Sequence, residues 1–173
     1  MTDKTYIYKG NLYPGFLKTG DAAGYIRKAA QYFCEGDGLD IGAGPYPLPG
    51  AMPLDLSYTE SDFNATNLPN NKYDYIFSSH CLEHLPNYVE ALEIWQAHLK
   101  PGGCLFLYLP HPEMEYWLPQ NNKKHLHEFE PKMIVKLLQD LGFKDIISSE
   151  RDIYWSFAVV GFKAQDEQQP ETD

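Results

Sequence analysis

The stretch Gly38-Leu39-Asp40-Ile41-Gly42-Ala43-Gly44-Pro45 constrains this chain more than any other. A short apolar run containing an acid, then two glycines one residue apart, describes a buried strand entering a turn where the backbone comes close to a ligand. Glycine lacks the Cβ that would hold the ligand off. Gly-x-Gly also closes many strands that bind nothing, so the turn alone does not establish a site. The next few residues are unusual. Pro45, Pro47 and Pro49 come in quick succession and Gly50 ends the segment, so a full helix cannot start there. The next strand, near Met52 to Leu56, arrives only about fifteen residues after Asp40, sooner than a strand, helix and strand of ordinary length allow. The connecting helix is therefore expected to shrink to about one turn or to give way to a loop.

The rest of the chain reads as alternating elements. Residues 1–20, rich in Tyr, Gly and Lys without a clear period, form an arm that either tethers the chain or covers a site as a lid. Asp21 is placed to cap a helix running to Phe33. Ser61 to Pro69 reads as a third short strand and turn, and Tyr73 to His80 as a fourth strand that becomes polar at its carboxyl end. Asn87 and Glu90 form a capping pair for a helix whose buried stripe is Tyr88, Leu92, Trp95 and Leu99, and Lys100-Pro101-Gly102-Gly103 stops it. Cys104 to Pro110 is a continuous apolar strand, of the kind covered on both faces in a parallel sheet. An irregular insert, His111 to Glu130, precedes a helix from Pro131 that carries Ile134, Leu137, Leu138 and Leu141 inward and ends at Gly142. Strands near Lys144–Ser149 and Trp155–Lys163 are too close for a crossover helix and should pair antiparallel. The expected fold is α/β: a mainly parallel seven-stranded sheet with an antiparallel C-terminal hairpin, right-handed crossovers and a shortened first crossover helix.

Size and charge narrow the function. A length of 173 residues supports one domain, here residues 21–164, followed by an acidic tail, 165–173, that is expected to be disordered. A formal net charge of −10 and no basic cluster longer than Lys123-Lys124 argue against a nucleic-acid partner. No apolar run approaches the roughly 20 residues needed to cross a bilayer, and the first residues do not resemble a signal peptide, so a cytoplasmic protein without a membrane partner is expected. Cys34, Cys81 and Cys104 are far apart and odd in number, as free thiols are.

In open parallel sheets the ligand sits beyond the carboxyl ends of the strands, with an acid on the ribose hydroxyls. This chain carries, in order, Gly38-Leu-Asp-Ile-Gly-Ala-Gly44, Pro53-Leu-Asp55-Leu56, Asn64-Ala-Thr-Asn-Leu-Pro69, Tyr73-Asp-Tyr-Ile-Phe-Ser-Ser-His80-Cys-Leu-Glu-His-Leu85 and Leu99-Lys-Pro-Gly-Gly103. From about Leu39 to Phe162 it resembles the class I S-adenosylmethionine-dependent methyltransferases, with their Rossmann-like fold. Leu48-Pro49-Gly50 and Glu93-Ile94-Trp95 look like the small bacterial members that often occur with sugar-polymer biosynthesis.

The resemblance implies S-adenosyl-L-methionine as cofactor and assigns its contacts residue by residue. Asp40 and the backbone of Gly42, Ala43 and Gly44 would receive its amino acid part, and Asp55, followed by Leu56, would accept the ribose hydroxyls. Asn64, where the family more often has Asp, would meet the adenine amino group, and Ala65 would supply a backbone donor. Ser78 and Ser79 would shape the methyl channel. Tyr46 stands where the family's third glycine is usual, and Pro45 precedes it.

The chemistry needs an aligned acceptor and, for a hydroxyl, a base. His80 and His111, beyond the ends of the fourth and fifth strands, are the candidates, with His125 and His127 lining or anchoring the insert. Tyr13, Phe16, Tyr116 and Trp117 could wall the acceptor site. His80 and His84 stand at i and i+4 with Cys81 and Glu83 between, and His111, His125 and His127 could converge nearby, but this matches no standard zinc spacing and no metal is expected. The expected activity is methyl transfer to an oxygen or nitrogen of a small-molecule acceptor. The alternative is a non-catalytic module that binds the cofactor or its demethylated product and acts through a partner. Oligomeric state and acceptor are not written in these motifs.

Overall fold

Apolar runs spaced as in this chain can be buried on both faces only within a sheet flanked by helices, and that is the arrangement found. The computed structural model describes residues 5–15, 22–57 and 62–165. In chain order the elements are β1 (Thr5–Tyr8), β2 (Asn11–Pro14), α1 (Ala23–Phe33), β3 (Gly38–Ile41), β4 (Met52–Leu54), β5 (Tyr73–Ser79), α2 (Tyr88–His98), β6 (Leu99–Pro110), α3 (Pro131–Asp140), β7 (Lys144–Ser148) and β8 (Ser156–Phe162). The main sheet has the order β4-β3-β5-β6-β8-β7. Its first four strands are parallel, and β8 runs antiparallel to both β6 and β7.

Side chains on a strand alternate between faces, which sorts the apolar residues into two cores. Leu39, Ile41, Ile76, Leu105 and Leu107 pack with Leu92 and Trp95 of α2 and with Ile134 and Leu138 of α3. Tyr75, Phe77, Phe106 and Tyr108 point the other way, onto Ile26, Ala30 and Phe33 of α1. Asp40, between Leu39 and Ile41, takes the α1 face and is buried there.

Several expectations are corrected. Among the described residues the main sheet has six strands, not seven. The segment expected as the third strand instead folds into a turn closed by an Asn64–Asn67 bridge. The Asn64 side-chain carbonyl accepts from the Thr66 and Asn67 backbone N–H groups and from the Thr66 hydroxyl. A side chain that competes this well for local donors diverts the backbone from a ladder. The first crossover has no helix: Tyr46 N–H to the Ala43 carbonyl and Ala51 N–H to the Leu48 carbonyl make isolated turns. Asn87 donates to Glu90 through its side-chain amide but does not cap α2. Lys100 to Gly103 lies inside β6, which begins at Leu99 directly after α2. Asp21, expected as a cap, and tail residues 166–173 lie outside the described residues; α1 begins at Ala23 without a side-chain cap.

The arm has more order than its sequence suggested. β1 and β2 form an antiparallel hairpin around Lys9 and Gly10, both at positive φ, the conformation that tight two-residue hairpins use. Tyr13 is almost fully buried and its ring centre lies 5.0 Å from that of Trp155. Tyr8 meets Tyr116 edge-on at 5.5 Å, above buried Met114 and Trp117. The arm is thus packed on the insert; Phe16 lies outside the described residues.

Candidate functional site

The carboxyl ends of β3, β4 and β5 come together around the glycine turn. Gly42 has φ +79° and donates to the Leu54 carbonyl at 2.8 Å, fastening the turn to β4. A Cβ on Gly42 would lie 2.4 Å from the Cys81 Cβ, so packing demands glycine there whatever the ligand. Gly44, at φ +51°, differs: a Cβ there would meet nothing within 4 Å. Its side faces open space, as a backbone cradle for a ligand must.

Two acids hold this turn. Asp40 Oδ2 accepts the Leu48 N–H at 2.6 Å, which anchors the proline-rich segment where a crossover helix would otherwise pack. Burial pushes the Asp40 carboxyl up to about 6; the Leu48 N–H and Arg27 oppose that rise, and Asp55 adds to it. Asp55 Oδ2 accepts the Gly44 N–H at 3.0 Å, and its Oδ1 accepts both the N–H and the hydroxyl of Ser57. Burial pushes the Asp55 carboxyl upward, but these donors outweigh it and leave it below the ordinary carboxylate range. Both acids therefore carry charge at neutral pH.

Two hollows with shared walls surround these groups. The smaller, about 80 Å³, is lined by Asp40, Gly42, Gly44, Tyr46, Ser79 and His80, with Ala23 from α1. The larger cleft, about 500 Å³, is lined by Asp55, Leu56, Ala65, His84, Leu85 and Lys124. Gly42 and His80 belong to both walls. The larger volume lies in the range of small-molecule sites.

The predicted residues fall into groups. Asp40, Gly42, Ala43, Gly44, Asp55, Leu56, Ala65 and Ser79 all line one of these two hollows. The Ser79 hydroxyl is buried without a hydrogen-bond partner, an orphan donor at the wall of the smaller hollow. Ser78 is committed elsewhere: its hydroxyl donates to the Ile41 carbonyl at 2.8 Å and ties β5 to β3. Asn64 stands beside the cleft residue Ala65 with its carbonyl engaged in its own turn, and Ala65 in turn accepts the Trp95 indole N–H at 2.7 Å.

The histidines separate. His80 takes φ +49°, a rare conformation for a side chain of this size. Its Nε2 lies 2.9 Å from the Ser156 hydroxyl, and its ring meets Trp117 edge-on at 4.7 Å. Burial pushes its pKa down to about 3, with His125 and His84 adding to the shift, so the ring is neutral. His111 does not join it. That residue lines a separate hollow of about 470 Å³ with Pro112, Glu113, Glu130, Lys132 and Glu150. His127 Nε2 bonds the Leu85 carbonyl and its ring stacks on Phe129, which anchors the insert. Ser156 carried no signal in the sequence, and Glu83, weighed there only within a metal set that was set aside, is a fully buried acid between His80 and His84. The His-x-x-Glu-His spacing was the available signal.

These features fit a nucleoside with a charged amino acid appendage: an open glycine cradle, an orphan hydroxyl and a buried carboxylate at one end, and a second carboxylate beside a larger apolar cleft at the other. A family model described as a methyltransferase domain matches residues 19–148. Phosphoethanolamine N-methyltransferase 1 from Arabidopsis thaliana is 26% identical over 165 residues, covering 87% of this chain and 33% of that protein. The chain thus spans about a third of the length of this curated relative. A Thermotoga maritima methyltransferase, described as a possible histamine N-methyltransferase, superposes with a TM-score of 0.63 at 19% identity, over 86% of this chain and 92% of its own. An Archaeoglobus fulgidus S-adenosylmethionine-dependent methyltransferase gives 0.61 at 20% identity, over 81% and 92%. No helix among the described residues is long and apolar enough to cross a membrane. The glycine turn, the acid pair and the match over residues 19–148 agree, and the chain belongs to the methyltransferase-domain family of class I S-adenosylmethionine-dependent methyltransferases.

Proposed function

We propose that this protein transfers the methyl group of S-adenosyl-L-methionine to an oxygen or nitrogen of a small-molecule acceptor. The observation that carries the reading is the pair of hollows that share Gly42 and His80, one ending on Asp40 and the other on Asp55. When bound, the cofactor supplies a methyl group already made electrophilic by its sulfonium. The protein's task is then to bind, align and exclude water.

In this reading Asp40 attracts the ammonium group, the Ser79 hydroxyl and Gly44 meet the carboxylate end, and Asp55 accepts the ribose hydroxyls. Asp55 has about four lone-pair sites, three of which already hold Gly44 and Ser57 donors. The Ser57 hydroxyl therefore turns away when the ribose arrives. His80, neutral and held by Ser156, positions the wall where the two hollows meet; its depressed basicity suits a shaping role better than a base. His111 is assigned no proton transfer, because its hollow is a different one. The acceptor is placed beside His80, where its ring meets Trp117 and both hollows reach it, with the arm hairpin packed on the insert closing that side. The phosphoethanolamine and histamine in the relatives' names favour amines in the first trials.

Methyl transfer from labelled S-adenosylmethionine to a panel of amines, sugars and organic acids tests the activity. Label appearing in one acceptor class, and lost with Asp55→Ala, is the expected result. Cofactor binding without transfer to any acceptor would favour the non-catalytic module.

A further inference from the structure

Behind the shared wall lies a group of side chains that cofactor binding does not use. Glu83 is fully buried, and neither of its carboxylate oxygens has a hydrogen-bond partner. A buried carboxylate with nothing to neutralise it is strongly unfavourable. Around its Oε1 stand three imidazole nitrogens: His80 Nδ1 at 3.8 Å, His84 Nε2 at 3.8 Å and His125 Nε2 at 4.0 Å. These separations are too long for hydrogen bonds.

The His84 tautomer adds to the mismatch. Its Nδ1 lies 2.7 Å from the Lys124 carbonyl, which can only accept, so Nδ1 carries the proton. In the neutral ring Nε2 then presents a lone pair toward the Glu83 carboxylate. Two acceptors facing each other need either a proton or a metal cation between them; burial, which pushes the Glu83 carboxyl up to about 8, supplies the proton when no metal is bound. The ligand atoms of Glu83, His84 and His125 all lie within 4.8 Å of one another. A tetrahedral ion with bonds of about 2.1 Å holds its ligand atoms about 3.4 Å apart, so a modest contraction closes the set.

We propose that Glu83, His84 and His125 bind one divalent transition-metal ion of the zinc type. Two imidazoles and one carboxylate select such an ion over magnesium or calcium, which prefer all-oxygen sets. Three protein ligands leave a fourth position free, as in catalytic zinc sites. His84 is part of the wall of the cleft that the methyltransferase reading gives to the cofactor, but the metal site itself does not rest on that reading. The Lys124 carbonyl fixes the His84 tautomer and acts as an outer support.

Chelator-treated protein titrated with Co²⁺ and Zn²⁺ alone, without cofactor, tests the site. One equivalent should bind, with visible Co²⁺ absorption bands of tetrahedral intensity, and Zn²⁺ should raise the melting temperature. Glu83→Gln, which keeps shape and can donate a hydrogen bond to the His84 lone pair, should fold and melt no lower than the metal-free wild type. It should also lose at least about tenfold in metal affinity, as should His125→Ala. Asp55→Ala should bind metal normally, which separates this result from failure of the cofactor reading. No stoichiometric uptake by the wild type, or uptake unchanged in both Glu83→Gln and His125→Ala, would overturn the proposal.

Discussion

The Asp40 carboxylate accepts the Leu48 N–H at 2.6 Å, so the acid at the mouth of the glycine turn also holds the proline segment that replaces the first crossover helix. One side chain thus serves the fold and faces the ligand. Asp40→Asn keeps an acceptor for Leu48 and removes the charge. It should fold as well as the wild type yet bind S-adenosylmethionine about tenfold or more weakly, the scale of a charge-assisted hydrogen bond. Asp40→Ala should in addition lose about 1–3 kcal/mol of stability, because the buried Leu48 N–H is left unpaired. Calorimetry and denaturant titration separate the two effects.

The same residue gives a pH dependence. Its folded-state pKa is raised to about 6 from the ordinary value of 3.8, so the folded chain holds this proton more tightly than the unfolded chain does. The contribution to stability is complete below the unfolded value and is lost as pH rises through about 6. Cofactor affinity should move the opposite way, strengthening as Asp40 ionises across that interval. Asp40→Asn should flatten both profiles, and an unchanged affinity profile in that variant would assign the titration to another group.

Gly42 and Gly44 should respond differently to alanine. Gly42→Ala drives a Cβ to 2.4 Å from the Cys81 Cβ at φ +79°, and overpacking with backbone strain should lower stability by about 2–4 kcal/mol. Gly44→Ala meets only open space and should cost about 1 kcal/mol for its left-handed backbone. Its larger effect should be on cofactor affinity, where the new methyl group stands in the cradle. Thermal unfolding beside calorimetry checks this ordering.

Ser57→Ala removes one of the three donors on Asp55. Since the ribose must displace that hydroxyl, affinity for S-adenosylmethionine should stay the same or tighten by up to about tenfold, the scale of a hydrogen bond to a charged group. A marked loss would mean that Ser57 itself holds the ribose.

Much of the fold was legible in the residues, and most of those expected at the cofactor end line the two hollows. Acids within or just after apolar strands placed Asp40 and Asp55 at neighbouring strand ends, and the three prolines signalled the loss of an ordinary helix between them, although the shortened helix also expected is absent. The third strand failed because Asn64 and Asn67 carry turn chemistry that a strand reading underweighted. The arm hairpin was missed although Tyr6 and Tyr8 alternate before Lys9-Gly10, because exposed two-stranded ribbons have little apolar signal. His80 and His111 looked equivalent as residues after strand ends. Only sheet order separates them: β5 ends beside β3 and the glycine turn, whereas β6 ends beside β8. Glu83 was hidden for a similar reason, since its burial is set by the insert, whose Leu126 N–H closes on the Glu83 carbonyl.

The cofactor assignments above depend on the cleft between the glycine turn and Asp55 holding S-adenosylmethionine. Isothermal titration of wild type and Asp55→Ala with the cofactor decides whether it does. Single-site binding by the wild type, weakened at least about tenfold in Asp55→Ala with folding retained, is expected. No binding by the wild type, or equal affinity in both proteins, would be incompatible with a cofactor site there.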